Sequence, residues 1–99
     1  MPETQSSAPE GVNTSRLVLI EDGEWAGWHK WASEEPFEDH AGPFYVRWED
    51  GKAVAGFRVE RKNLNGWGHC HGGALLTFAD YALFMIAENG GPVGGVTVT

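Results

Sequence analysis

The chain has 99 residues, a formal net charge of −7 and only seven lysines and arginines. That length allows one small domain. Grip on nucleic acid or on an anionic membrane surface needs clustered cations, and these seven are scattered.

Residues 1–15 are rich in Pro, Ser, Thr and Glu with few large apolar groups, and read as a disordered tail ahead of a domain over 16–99. No basic residue precedes Arg16, and the apolar run Leu17 to Ile20 is too short for a secretory signal. Trp25, Trp28 and Trp31 recur every third residue, which suggests one face of a helical turn. Packing is the preferred role for these rings over an aromatic lid on a ligand.

Phe44 to Trp48 reads as a strand, Glu49 to Lys52 as a turn, and Ala53 to Arg61 as a second strand. The turn is set by Asp50-Gly51, which tolerates the positive φ of a tight hairpin. Asn63 to Gly73 is a Gly-rich loop. An apolar helix follows from Ala74 to about Glu88, and Asn89-Gly90-Gly91-Pro92 ends it. Its apolar run, Ala74 to Ala87, spans about 14 residues, against roughly 20 for a membrane crossing. Gly95 to Thr99 reads as the start of another strand. The one cysteine, Cys70, excludes an internal disulfide and fits a reducing compartment, so the expected location is the cytoplasm.

Asp80 is the single acid in the helix between Gly73 and Ala87, among residues apolar on nearly every side. That pattern predicts a helix wrapped by other structure. A carboxylate buried there gains a raised pKa and becomes a better proton acceptor. The other reading puts Asp80 on a thin solvent-facing stripe.

Gly72 and Gly73 open the helix. Amides at a helix start lack internal partners and carry the positive end of the dipole, so they suit a developing oxyanion. The plainer reading is a tight turn. His69, Cys70 and His71 lack a second pair at the spacing of a structural zinc site, so no metal is expected. No lysine follows the glycines in the pattern of a nucleotide phosphate loop.

The spacing of these groups is more telling than any one of them. Asn65, five residues, His71-Gly72-Gly73, six residues and Asp80 resemble the active-site signature of PaaI-like hotdog thioesterases. Gly42-Pro43-Phe44-Tyr45, Leu64-Asn65-Gly66, Thr77-Phe78-Ala79-Asp80 and the segment Gly95 to Thr99 extend the resemblance over about Gly42 to Thr99.

The resemblance implies an α+β hotdog fold, an antiparallel sheet wrapped around a central apolar helix. On that pattern the later strands are missing and 16–99 is a partial domain. It implies hydrolysis of an acyl-CoA thioester to the free acid and coenzyme A. Coenzyme A is then part of the substrate, and no separate cofactor is expected. Carried over by position, the Gly72 N–H polarises the thioester carbonyl and Asn65 holds the carbonyl or the water. Asp80 acts as general base or nucleophile, and His71 shapes the loop. Gly73 and Thr97 lie on the substrate side.

One geometric point stands apart from the resemblance. Gly72 and Asp80 are eight residues apart, about 12 Å along a helix, too far for one carbonyl to touch both. Two helices antiparallel about a two-fold axis solve this, so a dimer or dimer of dimers with shared sites is expected. The alternatives are a non-catalytic acyl-CoA-binding hotdog module, an inactive truncated remnant, or another hotdog enzyme such as a dehydratase.

Overall fold

The computed structural model describes residues 4–89. In chain order the elements are β1 (Leu17–Leu19), β2 (His29–Trp31), α1 (Pro36–Ala41), β3 (Tyr45–Glu49), β4 (Lys52–Gly56), a 3₁₀ turn (Arg61–Asn63) and α2 (Gly72–Asn89). The architecture is α+β. Four antiparallel strands form one sheet in the order β1-β2-β3-β4, and α2 lies against it.

The hairpin forms where the sequence places it. Asp50 and Gly51 take φ of 51° and 78°, the pair of positive values a two-residue turn requires. The register then runs from Glu49 opposite Lys52 to Tyr45 opposite Gly56. The second strand ends at Gly56, short of the expected Arg61. Beyond it, Phe57 packs edge-on to Phe44 and lies 4.8 Å from the Phe78 ring of α2. Burying that ring against the helix competes with continuing the strand.

Alternation along β3 decides both faces of the sheet. Phe44, Val46 and Trp48 point to one side and are buried with Tyr81 and Met85 of α2. Tyr45 and Arg47 point to the other, where Trp25 stacks on Tyr45 at 4.2 Å and Arg47 lies 4.6 Å from the Trp28 ring. The three tryptophans therefore do not form a helical face. Gly23 and Gly27 take φ of 83° and 90°, which breaks any helix there, and Trp31 belongs to β2. The second face of the sheet needs cover, and a turn carrying two indoles supplies it. A Cβ on Gly56 would lie 3.0 Å from the Trp28 ring, so a larger residue there would need the indole to shift by a few tenths of an ångström.

Along α2, Phe78, Tyr81 and Met85 follow the helical repeat toward the sheet. Leu75, Leu76, Leu83 and Ile86 are exposed, Leu76 to 67% and Leu83 to 63%. The expectation of a helix wrapped on all sides is not met among the described residues: one face is packed and one is bare.

Residues 4–15, expected as a loose tail, are laid along the sheet by short polar contacts. Thr4 Oγ1 donates to the Glu21 carbonyl at 2.7 Å, and the Trp48 N–H donates to Ser7 Oγ at 3.0 Å. Ala8 and Val12 pack against the core. Composition could not register this, because the hold comes from a threonine, a serine and two small apolar groups. The expected strand over 95–99, with Thr97, lies outside the described residues. Among the described residues no helix is long and apolar enough to cross a membrane.

His29 ties this N-terminal segment to the sheet. It is 3% exposed, its Nε2 lies 2.9 Å from Ser6 Oγ, and its ring stands edge-on to Trp48. Burial pushes its pKa below the ordinary histidine value, and the Val46 backbone offsets part of that. The unfolded chain therefore binds the proton more readily. Stability is full above the ordinary value of about 6.5 and is lost as pH falls below it toward the native value. Thermal unfolding is expected to show a Tm lower at about pH 5.5 than at about pH 7.5, with a flatter difference in His29→Gln. An unchanged difference in the variant would contradict this role.

Candidate active site

The loop between the 3₁₀ turn and α2 is organised around Asn63, which is 3% exposed. Its Nδ2 donates to the Ala41 carbonyl at the end of α1 (2.6 Å), and its Oδ1 accepts from the Glu60 N–H (2.9 Å). Its main-chain carbonyl accepts from the His71 N–H at 2.6 Å. One residue thus joins α1, the 3₁₀ turn and the start of α2. Sequence reading placed Asn63 in the loop but gave it no role. The spare signal was a second asparagine two residues from Asn65, in a loop whose amides need partners.

Asn65 closes the loop tip. Its Oδ1 accepts from the N–H groups of Trp67 (2.9 Å) and His69 (3.1 Å), and its own N–H donates to the His69 carbonyl at 2.8 Å. With Oδ1 committed to the loop, Nδ2 is the atom of this side chain suited to a ligand. Gly68, at φ 81°, makes the return. Trp67 at the tip is 87% exposed.

His71 caps α2. The Gly73 N–H donates to His71 Nδ1 at 2.8 Å, so Nδ1 is the acceptor and Nε2 carries the ring proton. The His71 carbonyl accepts from Ala74 and Leu75. The Gly72 N–H is left as the first-turn amide with no partner among the described residues. Gly73 does not offer its amide, which the cap uses. Its carbonyl accepts from Thr77 Oγ1 at 2.8 Å, and its part is the small volume it leaves.

Beside this first turn lies a shallow cleft of about 240 Å³ between α1, the 3₁₀ turn and α2. Phe37, Ala41 and Ala74 give it apolar walls, and His40, Lys62 and His71 give it polar ones. Among the described residues no three His, Cys, Asp or Glu side chains gather where a metal ion would sit.

Asp80 lies elsewhere. His71, Gly72 and Gly73 adjoin at the start of α2 and Asn65 closes the tip of the loop before them, but Asp80 stands two turns along α2, about 12 Å from Gly72 by helical rise. It is exposed, which agrees with the solvent-facing reading of Asp80 and not with the buried one. Glu38 of α1 is half-buried, and its Oε1 accepts from the Trp31 indole N–H at 3.2 Å. Burial raises the pKa of Glu38, the charges of Glu35, Asp80 and Asp39 add to the rise, and the Trp31 hydrogen bond opposes it. Sequence reading gave Glu38 no part, because α1 itself was not anticipated.

No protein-family model, curated protein or solved structure matches the chain.

If Asn63 is the organiser, Asn63→Ala strands the Ala41 carbonyl and the Glu60 N–H. Stability is then expected to fall by about 1–3 kcal/mol. His71→Ala removes only the cap, about 1 kcal/mol. Urea unfolding of both variants checks the order, and an Asn63→Ala loss no larger than that of His71→Ala would contradict it.

Proposed function

We propose that this chain is an acyl-CoA thioesterase of the hotdog type, working as a dimer or larger assembly with shared sites. The observation that carries the reading is the open Gly72 N–H at the start of α2, with Asn65 in the loop just before it and an apolar-walled cleft alongside. A thioester carbonyl placed there accepts one strong hydrogen bond and meets the positive end of an 18-residue helix. The Asn65 Nδ2 is a second donor. His71 keeps the turn in shape by capping it, with no proton transfer of its own.

Hydrolysis needs a base on the far side of the carbonyl. Asp80 of the same copy is too far along α2 to serve. Asp80 of a second copy, with α2 running antiparallel, reaches the water. The water oxygen bonds to the carbonyl carbon, its proton passes to that Asp80, and the carbon–sulfur bond breaks to release the coenzyme A thiolate. The exposed position of Asp80 favours the base over the nucleophile, since water is at hand there. The bare apolar face of Leu75, Leu76, Leu83 and Ile86 supports association, because a second copy would remove it from water. The antiparallel sheet with a helix across one face is compatible with a hotdog arrangement. Coenzyme A enters as part of the substrate.

One observation favours a second reading, a module that holds acyl-CoA without hydrolysing it: within a single copy the acid is remote from the carbonyl site. Free-thiol release from phenylacetyl-, benzoyl- and medium-chain acyl-CoAs separates the two. The thioesterase reading expects turnover that falls about 10²- to 10⁴-fold in Asp80→Ala. Acyl-CoA binding to the folded protein without thiol release would overturn it in favour of the binding module.

A further inference from the structure

The cleft beside α2 has walls whose charge runs against that of the whole molecule. Acidic residues outnumber Lys and Arg by 14 to 7 in the chain, yet among the described residues none lines the cleft. Its ionisable lining is His40 of α1, Lys62 of the 3₁₀ turn and His71 before α2. Phe37, Ala41 and Ala74 supply the apolar part. Phe37, His40 and Ala41 are three and four residues apart, so they share one face of α1. Gly73, Ala74 and Thr77 share a face of α2 in the same way.

Asn63 sets the spacing of these walls. Its side chain ties the Ala41 carbonyl to the Glu60 N–H, and its main-chain carbonyl accepts from the His71 N–H at 2.6 Å. Lys62, the next residue back, is thereby carried to the rim of the cleft. His71 Nδ1 is taken by the Gly73 N–H, so the Nε2 proton is the one this ring can offer. Lys62 Nζ lies 3.7 Å from Glu60 Oε1, with both side chains well exposed. A long surface pair of that kind contributes little and gives way to a better acceptor. Phe37 is 71% exposed, so its ring is open to a ligand.

We propose that this cleft is a specificity subsite for an acyl group that ends in a carboxylate: a short apolar chain lies between Phe37 and Ala74, and its terminal carboxylate pairs with Lys62 Nζ, with the Nε2 proton of His71 as a second donor. The inference rests on the thioesterase reading, in which the neighbouring Gly72 amide holds the carbonyl. The acyl chain is joined directly to that carbonyl, whereas the phosphates of coenzyme A lie beyond the long pantetheine arm. The anionic group that reaches this cleft therefore belongs to the acyl side. A volume of about 240 Å³ is below the roughly 300–1,000 Å³ of sites for drug-sized ligands, which limits the occupant to a few carbons and the carboxylate. Hydrogen bonds from an ammonium to a carboxylate are of the strong, charge-assisted kind, and apolar walls strengthen them further.

One arm of the test needs no turnover. Monomethyl glutarate carries a carboxylate at one end and an ester at the other; dimethyl glutarate is the same chain without the charge. Amide NMR spectra of the folded protein follow both. Monomethyl glutarate is expected to move the Lys62, Ala74 and Thr77 signals saturably, with dimethyl glutarate binding about three- to tenfold more weakly. Lys62→Met keeps an apolar stem, removes the charge and should erase that difference; the side chain is exposed, so the core is undisturbed. Equal binding of the two esters, or no movement of these amides, overturns the inference. Displacement of monomethyl glutarate by adenosine 3′,5′-bisphosphate but not by glutarate assigns the cleft to the phosphate end of coenzyme A and overturns it as well. In the kinetic arm, kcat/KM is expected to favour glutaryl-CoA over pentanoyl-CoA about three- to tenfold, and Lys62→Glu should reverse the order. Turnover of both without preference overturns the inference and leaves the thioesterase reading standing. Lys62-dependent binding of monomethyl glutarate in a protein that releases no thiol supports the carboxylate site and removes the thioesterase reading alone.

Discussion

Asn63 joins three parts of the chain through its buried side-chain amide and its main-chain carbonyl. It ends α1 through the Ala41 carbonyl, closes the 3₁₀ turn through the Glu60 N–H, and starts α2 through the His71 N–H. Everything proposed about chemistry depends on that junction. With His71 held by Asn63, its imidazole reaches forward to cap the Gly73 N–H, and the Gly72 N–H is the amide left open. The same anchor fixes the end of α1, and so the side of α1 that carries Glu38 toward α2. An apolar residue at 63 would leave two backbone groups of a buried junction, the Ala41 carbonyl and the Glu60 N–H, unpaired, which is more disruptive than losing one surface contact.

The sheet serves mainly to orient α2. Val46 and Trp48 on one face meet Tyr81 and Met85, and the tryptophan-bearing turn covers the other. Among the described residues the helix is packed along one side, and its other side presents Leu76, Leu83 and Asp80 together. An apolar stripe with one carboxylate in it is a poor surface for a lone copy and a reasonable one for a shared interface. The proposed assembly therefore answers two separate problems, the bare stripe and the distance between Gly72 and Asp80.

The parts that the sequence made legible were those with strong local rules. Asp50-Gly51 fixed the hairpin because few residue pairs accept two positive φ values, and the long apolar run announced α2. The glycines of the loop marked the entry to α2, which begins at Gly72. What stayed hidden depended on partners distant in the chain. Trp25, Trp28 and Trp31 have helical spacing, yet the sheet's second face claims the first two and β2 the third. Ser6 and Ser7 look like tail residues until His29 and Trp48 are placed beside them. Nothing local distinguishes Asn63, which is buried and structural, from Asn65 two residues later. Glu38 was invisible for the same reason, since its neighbours come from β2 and α2.

The central claim is that a working site joins the Gly72 amide of one copy to Asp80 of another. Gly72→Pro tests the first half cleanly. Proline is well tolerated at the first helical position, nothing lies within 4 Å of a Cβ there, and the substitution removes the N–H alone. The decisive measurement is thiol release from a co-refolded mixture of Gly72→Pro and Asp80→Ala chains. Each variant alone should be nearly inactive. The mixture should regain about a quarter of wild-type activity, since half the dimers are mixed and each carries one intact site of two. A mixture that assembles but stays as inactive as its parents would contradict the shared site.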